Sequence, residues 1–200
     1  FPHYVSNDWS PPHRARRVNA RLRELPSATP ADMAGVHADK VSIPSRAFVA
    51  LAREREPLDE RSSKARERLV GWGGTMGPDD VAPTIYAAWR EQVTALILQG
   101  PALAPLVTSA RRFEPLPAQA MPAAQRLRNV LYSLLLKRDP SVLPPGETWE
   151  TLGSRALAAA CAGLAELLGP DIDGWRWALV HRTRPRHPLS AAFPDAAELL

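Results

Sequence analysis

Apolar residues recur every three or four positions through most of this chain, and that period predicts a succession of amphipathic helices. Ala15, Val18, Leu22 and Leu25 form the first stripe. Pro11 and Pro12 fit the opening turn of that helix, where a missing N–H costs nothing, with Ser10 as its cap and Pro26 as its end. Thr29-Pro30-Ala31-Asp32 combines a cap, a proline at the first helical position and an acidic first turn, and predicts a second helix to about Asp39. A third begins near residues 42–44 and carries Phe48, Val49 and Leu51. A fourth covers 59–72 with Ala65, Leu69 and Trp72 facing inward, and Gly71-Trp72-Gly73-Gly74 stops it.

Asp79 or Asp80 is expected to cap a fifth helix that reaches about Gln99. Val81, Ile85, Tyr86, Trp89, Val93, Leu96 and Ile97 nearly encircle it, and a helix with so little polar face belongs at the centre of a fold. Residues 100–121 are Pro-rich and read as a connection, with one short helix near 103–111. Pro122 opens a further amphipathic helix with Leu127, Val130, Leu131, Leu134 and Leu135 on one face. After a loop over 139–146, Thr148 caps a helix over 149–168, which Gly169-Pro170 ends. At Trp175 the pattern changes. The aromatic, partly alternating run to Thr183 predicts a short strand, which Pro185 and Pro188 keep from extending. The expected fold class is therefore mainly α with a short C-terminal β element, divided into a helical region over 1–170 and a strand-containing segment over 171–200.

Composition narrows this picture only in places. With 45% apolar residues in 200, a sizeable core is available, and 23% charged residues argue against wholesale disorder. The 21 prolines against 11 glycines suit short helices with stiff connections. Much of the excess charge behind the net +4 lies in 14–23 and 176–186, so local basic patches are expected rather than a uniformly basic surface. The single cysteine, Cys161, excludes an internal disulfide, and its small neighbours Ala158, Ala159, Ala160, Ala162 and Gly163 suggest a buried, inert thiol. No run reaches the ~18 consecutive apolar residues of a membrane span, so no membrane association is expected. His3, His13, His37, His181 and His187 share no ligand spacing, and no metal site is expected. Ser62-Ser63-Lys64 reads as a polar helix face rather than a nucleophile pair. The chain begins at Phe1, with neither an initiator Met nor a signal peptide, and reads as processed, truncated or cut from a longer precursor.

Four segments carry something more specific. Asp8-Trp9-Ser10-Pro11-Pro12-His13-Arg14-Ala15-Arg16-Arg17-Val18 resembles the Asp-Trp-Ala-Pro-Pro-Tyr-Arg-Ala-Arg-Arg-Ile motif found in many members of the penicillin amidase family of N-terminal nucleophile hydrolases. Thr29 to Met33, followed by Asp39-Lys40-Val41-Ser42, is similar to that family's helix opening and its Asp-x-x-Ser element. Gly71-Trp72-Gly73-Gly74-Thr75-Met76 resembles a segment in which members usually have Trp-Asp-Gly, and Gly73 here replaces the carboxylate. Trp177 and His181, followed by Arg186-His187-Pro188-Leu189, are similar to the family's tryptophan-to-histidine strand and its His-Pro-Leu. The matches fall in family order and cover roughly the whole chain.

This resemblance implies that the chain is an internal piece of a β subunit: the helical portion of an α+β, four-layer hydrolase that splits a linear amide between an acyl group and an amine. In the family a chain-terminal Ser attacks the carbonyl with its own α-amine as base, since an α-amine with a pKa near 8 is poised for that work. An Asn and a backbone N–H hold the oxyanion, and self-cleavage of a precursor exposes the nucleophile. Phe1 has no hydroxyl or thiol, so no catalytic residue is expected within this chain. Arg17 falls on the arginine that supports the oxyanion Asn. Asp8, Trp9, Pro11, Pro12, Asp39, Ser42, Trp72, Trp177 and His181 fall on structural motif positions. Such a mechanism requires no cofactor. The implied partners are the remaining α and β segments of the parent and an acylated amide substrate, with self-association of the isolated piece, and the implied location of the parent is periplasmic or extracellular. The rival reading is a non-catalytic, basic helical module for nucleic acid or a protein partner, built on the arginines of 13–23. No recognition motif accompanies them, and the acidic residues of 54–67 dilute the field, so nucleic acid is not the expected partner.

Overall fold

The structure, a computed structural model, describes residues 10–54, 56–105 and 123–182. In chain order the helices are α1 (His13–Arg23), α2 (Pro30–His37), α3 (Ser45–Arg53), α4 (Glu60–Val70), α5 (Ala82–Gln99), α6 (Ala123–Lys137) and α7 (Trp149–Leu168). A 3₁₀ turn (Ile172–Gly174) and a one-turn α8 (Trp177–Val180) follow. Among the described residues there is no strand, only an isolated antiparallel bridge between Val41 and Thr75.

The core forms where α5 lies against α7, with α3, α4 and α6 packed around the pair. The apolar residues that encircle α5 account for its central position. Ile85, Tyr86, Trp89, Val93 and Ile97 are all buried along one broad face of the helix, and Thr84 and Thr94 are buried beyond it. Where α3 and α5 both meet α7, the close packing depends on a glycine. A Cβ on Gly153 would stand 2.8 Å from Leu51 Cδ2 and 3.7 Å from Trp89 Cζ2. In that gap the Trp89 indole N–H donates to the Gly153 carbonyl at 2.8 Å, and Phe48 meets the Trp89 ring edge-on at 5.1 Å. Cys161 is buried in the same core, where desolvation pushes its thiol up to about 12, well away from a reactive thiolate.

Local sequence signals set the helix starts. Thr29, Asp59 and Thr148 are extended N-caps with reciprocal side-chain and backbone bonds to the third helical residue: Asp32, Ser62 and Thr151. Ser62 is thereby committed to a cap, and Lys64 pairs with Glu60. Gly169 ends α7 at φ +92°, a left-handed-side conformation that suits glycine. Thr148→Ala removes the acceptor for the Thr151 amide and is expected to cost about 1 kcal/mol. That cost would be read as a lower urea midpoint at unchanged m-value.

Several expectations are corrected. Ser10 does not cap α1; the helix starts later, with Pro12 at the cap position and no side-chain bond. Neither Asp79 nor Asp80 caps α5, because the helix begins after Val81 and the Asp80 carboxylate instead accepts from the Gly77 amide at 3.2 Å. Val130 is 50% exposed; Leu127, Leu131 and Leu135 form the buried stripe of α6. Trp72 is only half-buried, its indole turned to the Thr75 carbonyl at 2.8 Å. No residue of the α1 stripe is fully buried: Val18 and Leu25 are half-buried, and Ala15 and Leu22 are exposed. The expected strand from Trp175 is absent from 175–182. The Trp177 N–H donates to Asp80 O at 2.9 Å and the Ala178 N–H to Pro78 O at 2.8 Å, so a loop satisfies the amides a partner strand would have paired, and Trp177–Val180 coils. The short helix expected near 103–111 falls outside the described residues beyond Pro105, as do Pro122 and residues 183–200. Among the described residues, α7 is long and apolar enough to cross a bilayer by length and mean hydropathy, although no run in the sequence led to that expectation. Its burial against α5 accounts for that apolarity.

Candidate functional site

The second half of α1 stands over the chain that leaves α2, and one ion pair ties the two together. The Arg17 guanidinium reaches Asp39 with Nε 2.9 Å from both carboxylate oxygens and Nη2 2.6 Å from Oδ2. The forked geometry suits arginine and would not be reproduced by lysine. Arg21, one turn further along α1, brings its Nε to 3.7 Å from the same carboxylate. Asp39 also accepts from the Val41 amide at 3.0 Å. The Arg17 hydrogen bond is the main reason the Asp39 carboxyl is held below the usual carboxylate range, and the same bond raises the Arg17 pKa.

Asp39 therefore fixes the start of the Lys40–Ser42 segment, which pairs with the glycine-rich turn after α4. The Ser42 N–H donates to Gly74 O at 2.8 Å, and the Met76 N–H donates to Lys40 O at 3.0 Å, on either side of the Val41–Thr75 bridge. Gly74 sits at φ +90°, and a Cβ there would lie 2.9 Å from Ser45 Oγ and 3.2 Å from Ser42 O. Gly74→Ala is expected to cost about 1–2 kcal/mol from the positive φ and the crowding together, seen as a lowered melting temperature. The contrasting site is Gly73, where a Cβ would meet nothing within 4 Å; Gly73→Ala serves as the control with little change.

The turn continues to Pro78 and Asp80, whose carbonyls hold α8 as described above. Trp177 of α8 and His181, at the cap just after it, stack face to face at 4.6 Å between ring centroids, 14° apart. Tyr86 of α5 closes the floor. It is 2% exposed, and desolvation pushes its phenol pKa up. The Tyr86 hydroxyl has Ser42 and Arg90 close enough to favour the phenolate, yet completes no hydrogen bond. The result is an open cleft of about 1070 Å³ whose walls come from α1, α2, the 39–44 segment, the 76–78 turn, α5 and α8.

Arg17, Asp39, Ser42, Trp177 and His181, singled out in sequence as scattered motif positions, all line this cleft. Trp72 sits behind it with its ring tilted on Tyr86 at 5.5 Å. Pro11 and Pro12 precede α1, and Asp8 and Trp9 lie outside the described residues. Sequence reasoning missed Arg21, Tyr86 and Arg90 as part of the site. A signal existed: Arg21 follows Arg17, and Arg90 follows Tyr86, by four residues, so each pair shares one helix face. No group of three or more His, Cys, Asp or Glu side chains among the described residues could hold a metal ion.

Comparison with known proteins bears directly on this arrangement. The family model described as Penicillin amidase matches residues 1–199. The chain belongs to the penicillin amidase family. It is also similar to the penicillin acylase 2 proenzyme of Pseudomonas sp. (strain SE83), with 33% identity over 204 aligned residues covering 100% of this chain and 24% of that protein. The chain thus spans about a quarter of the length of this curated relative. In penicillin amidase terms, the described parts of all four motifs that carry the resemblance are brought together around one cleft, through Arg17–Asp39, Val41–Thr75 and the contacts of the Pro78 and Asp80 carbonyls with α8.

Proposed function

We propose that this chain is the helical portion of the β subunit of a penicillin-amidase-type hydrolase, which cleaves a linear N-acyl amide through a chain-terminal Ser supplied by a segment outside these 200 residues. The observation that carries this reading is the convergence of the family's motifs on one cleft. The first two of them, separated along the chain and kept in family order, meet there at the forked Arg17–Asp39 ion pair, which suits a role in holding up neighbouring polar groups. In this reading Arg17 is a positioning residue. Its guanidinium is fixed by Asp39 with part of its donor set left over, and those donors support the oxyanion-holding Asn of the parent. The two-sheet, four-layer core, with the strand that follows 171–182, belongs to the parent as a whole. The acyl chemistry is hydrolytic and asks for no cofactor. Export to the periplasm or beyond accords with such a parent.

The test is an intact-mass and N-terminal analysis of the full-length parent, with an assay of amine release from N-acyl substrates. Two chains, the larger beginning with Ser, Thr or Cys, together with amine release, are expected. A single uncut chain without amine release overturns the reading. Arg17→Met in the processed parent is expected to lower kcat more than it raises KM, since the residue acts on the oxyanion holder rather than on substrate binding. The rival nucleic-acid reading is weakened by the same geometry, because Arg17 is turned to Asp39 rather than left free for phosphate.

A further inference from the structure

Unpartnered polar atoms are concentrated at the cleft. Among the described residues, the buried side-chain nitrogen and oxygen atoms without a hydrogen-bond partner are His13 Nδ1, Arg21 Nε, Thr84 Oγ1, Tyr86 Oη, Arg90 Nε and Arg138 Nη1. His13, Arg21, Tyr86 and Arg90 all line the α1–α5 cleft. A buried polar group left unmade costs about 1–3 kcal/mol, so four orphans around one cleft mark a place where partners are supplied from outside the described residues. Arg21 Nε and Arg90 Nε can only donate, and Tyr86 Oη can donate. The complementary group is therefore rich in acceptor oxygens. Charge points the same way: Arg14, Arg17, Arg21, Lys40 and Arg90 line the cleft and Asp39, which Arg17 already engages, is the one carboxylate among the lining residues, while Glu24 and Glu91 pair with the outer nitrogens of Arg21 and Arg90.

A second observation sets the nature of the occupant. The apolar side of α1 faces this same cleft with Val18 and Leu22, and no residue of α1 is buried. A small hydrophilic anion would satisfy the donors and leave that stripe wet. A polypeptide segment satisfies both, since it brings side chains against the stripe and oxygens to the donors. The relative that this chain matches is about four times as long as the matched portion, so ample polypeptide is available to fill a cleft of about 1070 Å³.

We propose that the α1–α5 cleft is a docking groove for another segment of the parent polypeptide, one that presents a carboxylate or a run of backbone carbonyls to Arg21, Arg90 and Tyr86 while apolar side chains cover Val18 and Leu22. The inference rests on the reading of this chain as part of a longer hydrolase. It deepens that reading by naming the surface through which the helical portion is held and the chemistry of what holds it.

The test is chemical footprinting of the native full-length parent after gel filtration and dialysis, comparing arginine modification at Arg21 and Arg90 with that at the exposed Arg16. Arg21 and Arg90 are expected to be modified at least tenfold more slowly. Modification at rates equal to Arg16 overturns the proposal, and so does protection that is lost on dialysis and restored by a small carboxylate such as acetate, which would mark a diffusible anion instead. Arg90→Gln in the parent is expected to speed modification at Arg21 by loosening the docked segment; an unchanged Arg21 rate in a folded variant argues against it. None of these readouts depends on amide hydrolysis. An uncut, inactive parent with protected arginines would sink the hydrolase reading and leave the groove standing, whereas a processed, active parent with reactive arginines would do the reverse.

Discussion

Replacing Trp89 with alanine is expected to destabilise the fold by roughly 3–5 kcal/mol. The ring is 2% exposed at the crossing of α5 and α7, so its removal leaves a large void between two long helices whose backbones cannot easily close on it. The loss has three parts: the buried aromatic area, the edge-on contact with Phe48, and the indole donor to Gly153 O. The last leaves a buried carbonyl short of one acceptor bond. Trp89→Phe separates the parts, retaining much of the packing while removing the donor, and is expected to cost less than half as much. Urea denaturation followed by far-ultraviolet circular dichroism measures both; a midpoint for Trp89→Ala within error of the unsubstituted protein would refute this account of the core.

Asp39→Ala is expected to cost about 2–3 kcal/mol. The carboxylate accepts charge-assisted bonds from Arg17 and a further bond from the Val41 amide at 11% side-chain exposure, and its removal leaves Arg17 with only the weaker influence of Glu24. The effect should exceed that of a typical surface pair because the same carboxylate anchors the segment bridged to Thr75. It should also depend on pH in a defined direction. The folded-state pKa of Asp39 is depressed, so its contribution is fully present above the unfolded carboxylate value of about 3.9 and is lost as pH falls through the lower folded value. Asp32, Asp59, Glu60 and Asp139 are depressed as well, so the unsubstituted protein also weakens in acid. The diagnostic is therefore the difference between the two proteins. The stability gap should be constant from pH 5 to 7 and should narrow below pH 4. A gap that widens in acid would contradict the assignment.

Much of this architecture was legible in the sequence because it is locally determined. Thr29-Pro30-Ala31-Asp32 and Thr148 announce capped helices that need only their own neighbours, and the apolar residues around α5 require burial wherever the helix lies. The misreadings fall where a distant partner decides. Trp175 to Thr183 has the alternation of a strand, but hydrogen bonds to Pro78 and Asp80, about a hundred residues earlier, accompany a helical turn over Trp177–Val180 instead. Val130 has the right period to join Leu127 and Leu131, but the buried face of α6 is narrower than its apolar face. The site was half legible for the same reason. Motif resemblance picked out Arg17, Asp39, Ser42, Trp177 and His181 one by one, but no periodicity reveals that a bridge at Val41–Thr75 gathers them around one cleft. Tyr86 and Arg90 were hidden by their position on a helix whose pattern spoke only of core.

The absence of any buried residue on α1 has a consequence for motion. Beyond its own helical ladder, α1 is held by the Arg17 and Arg21 contacts to Asp39 and by the edge of His13 against Tyr132 at 5.0 Å. Local opening therefore requires breaking a few polar contacts and leaves the Trp89 core intact. Backbone amides of α1 in this chain should accordingly exchange with deuterium through small, independent openings, orders of magnitude sooner than those of α5 and α7, which open only when the whole molecule does.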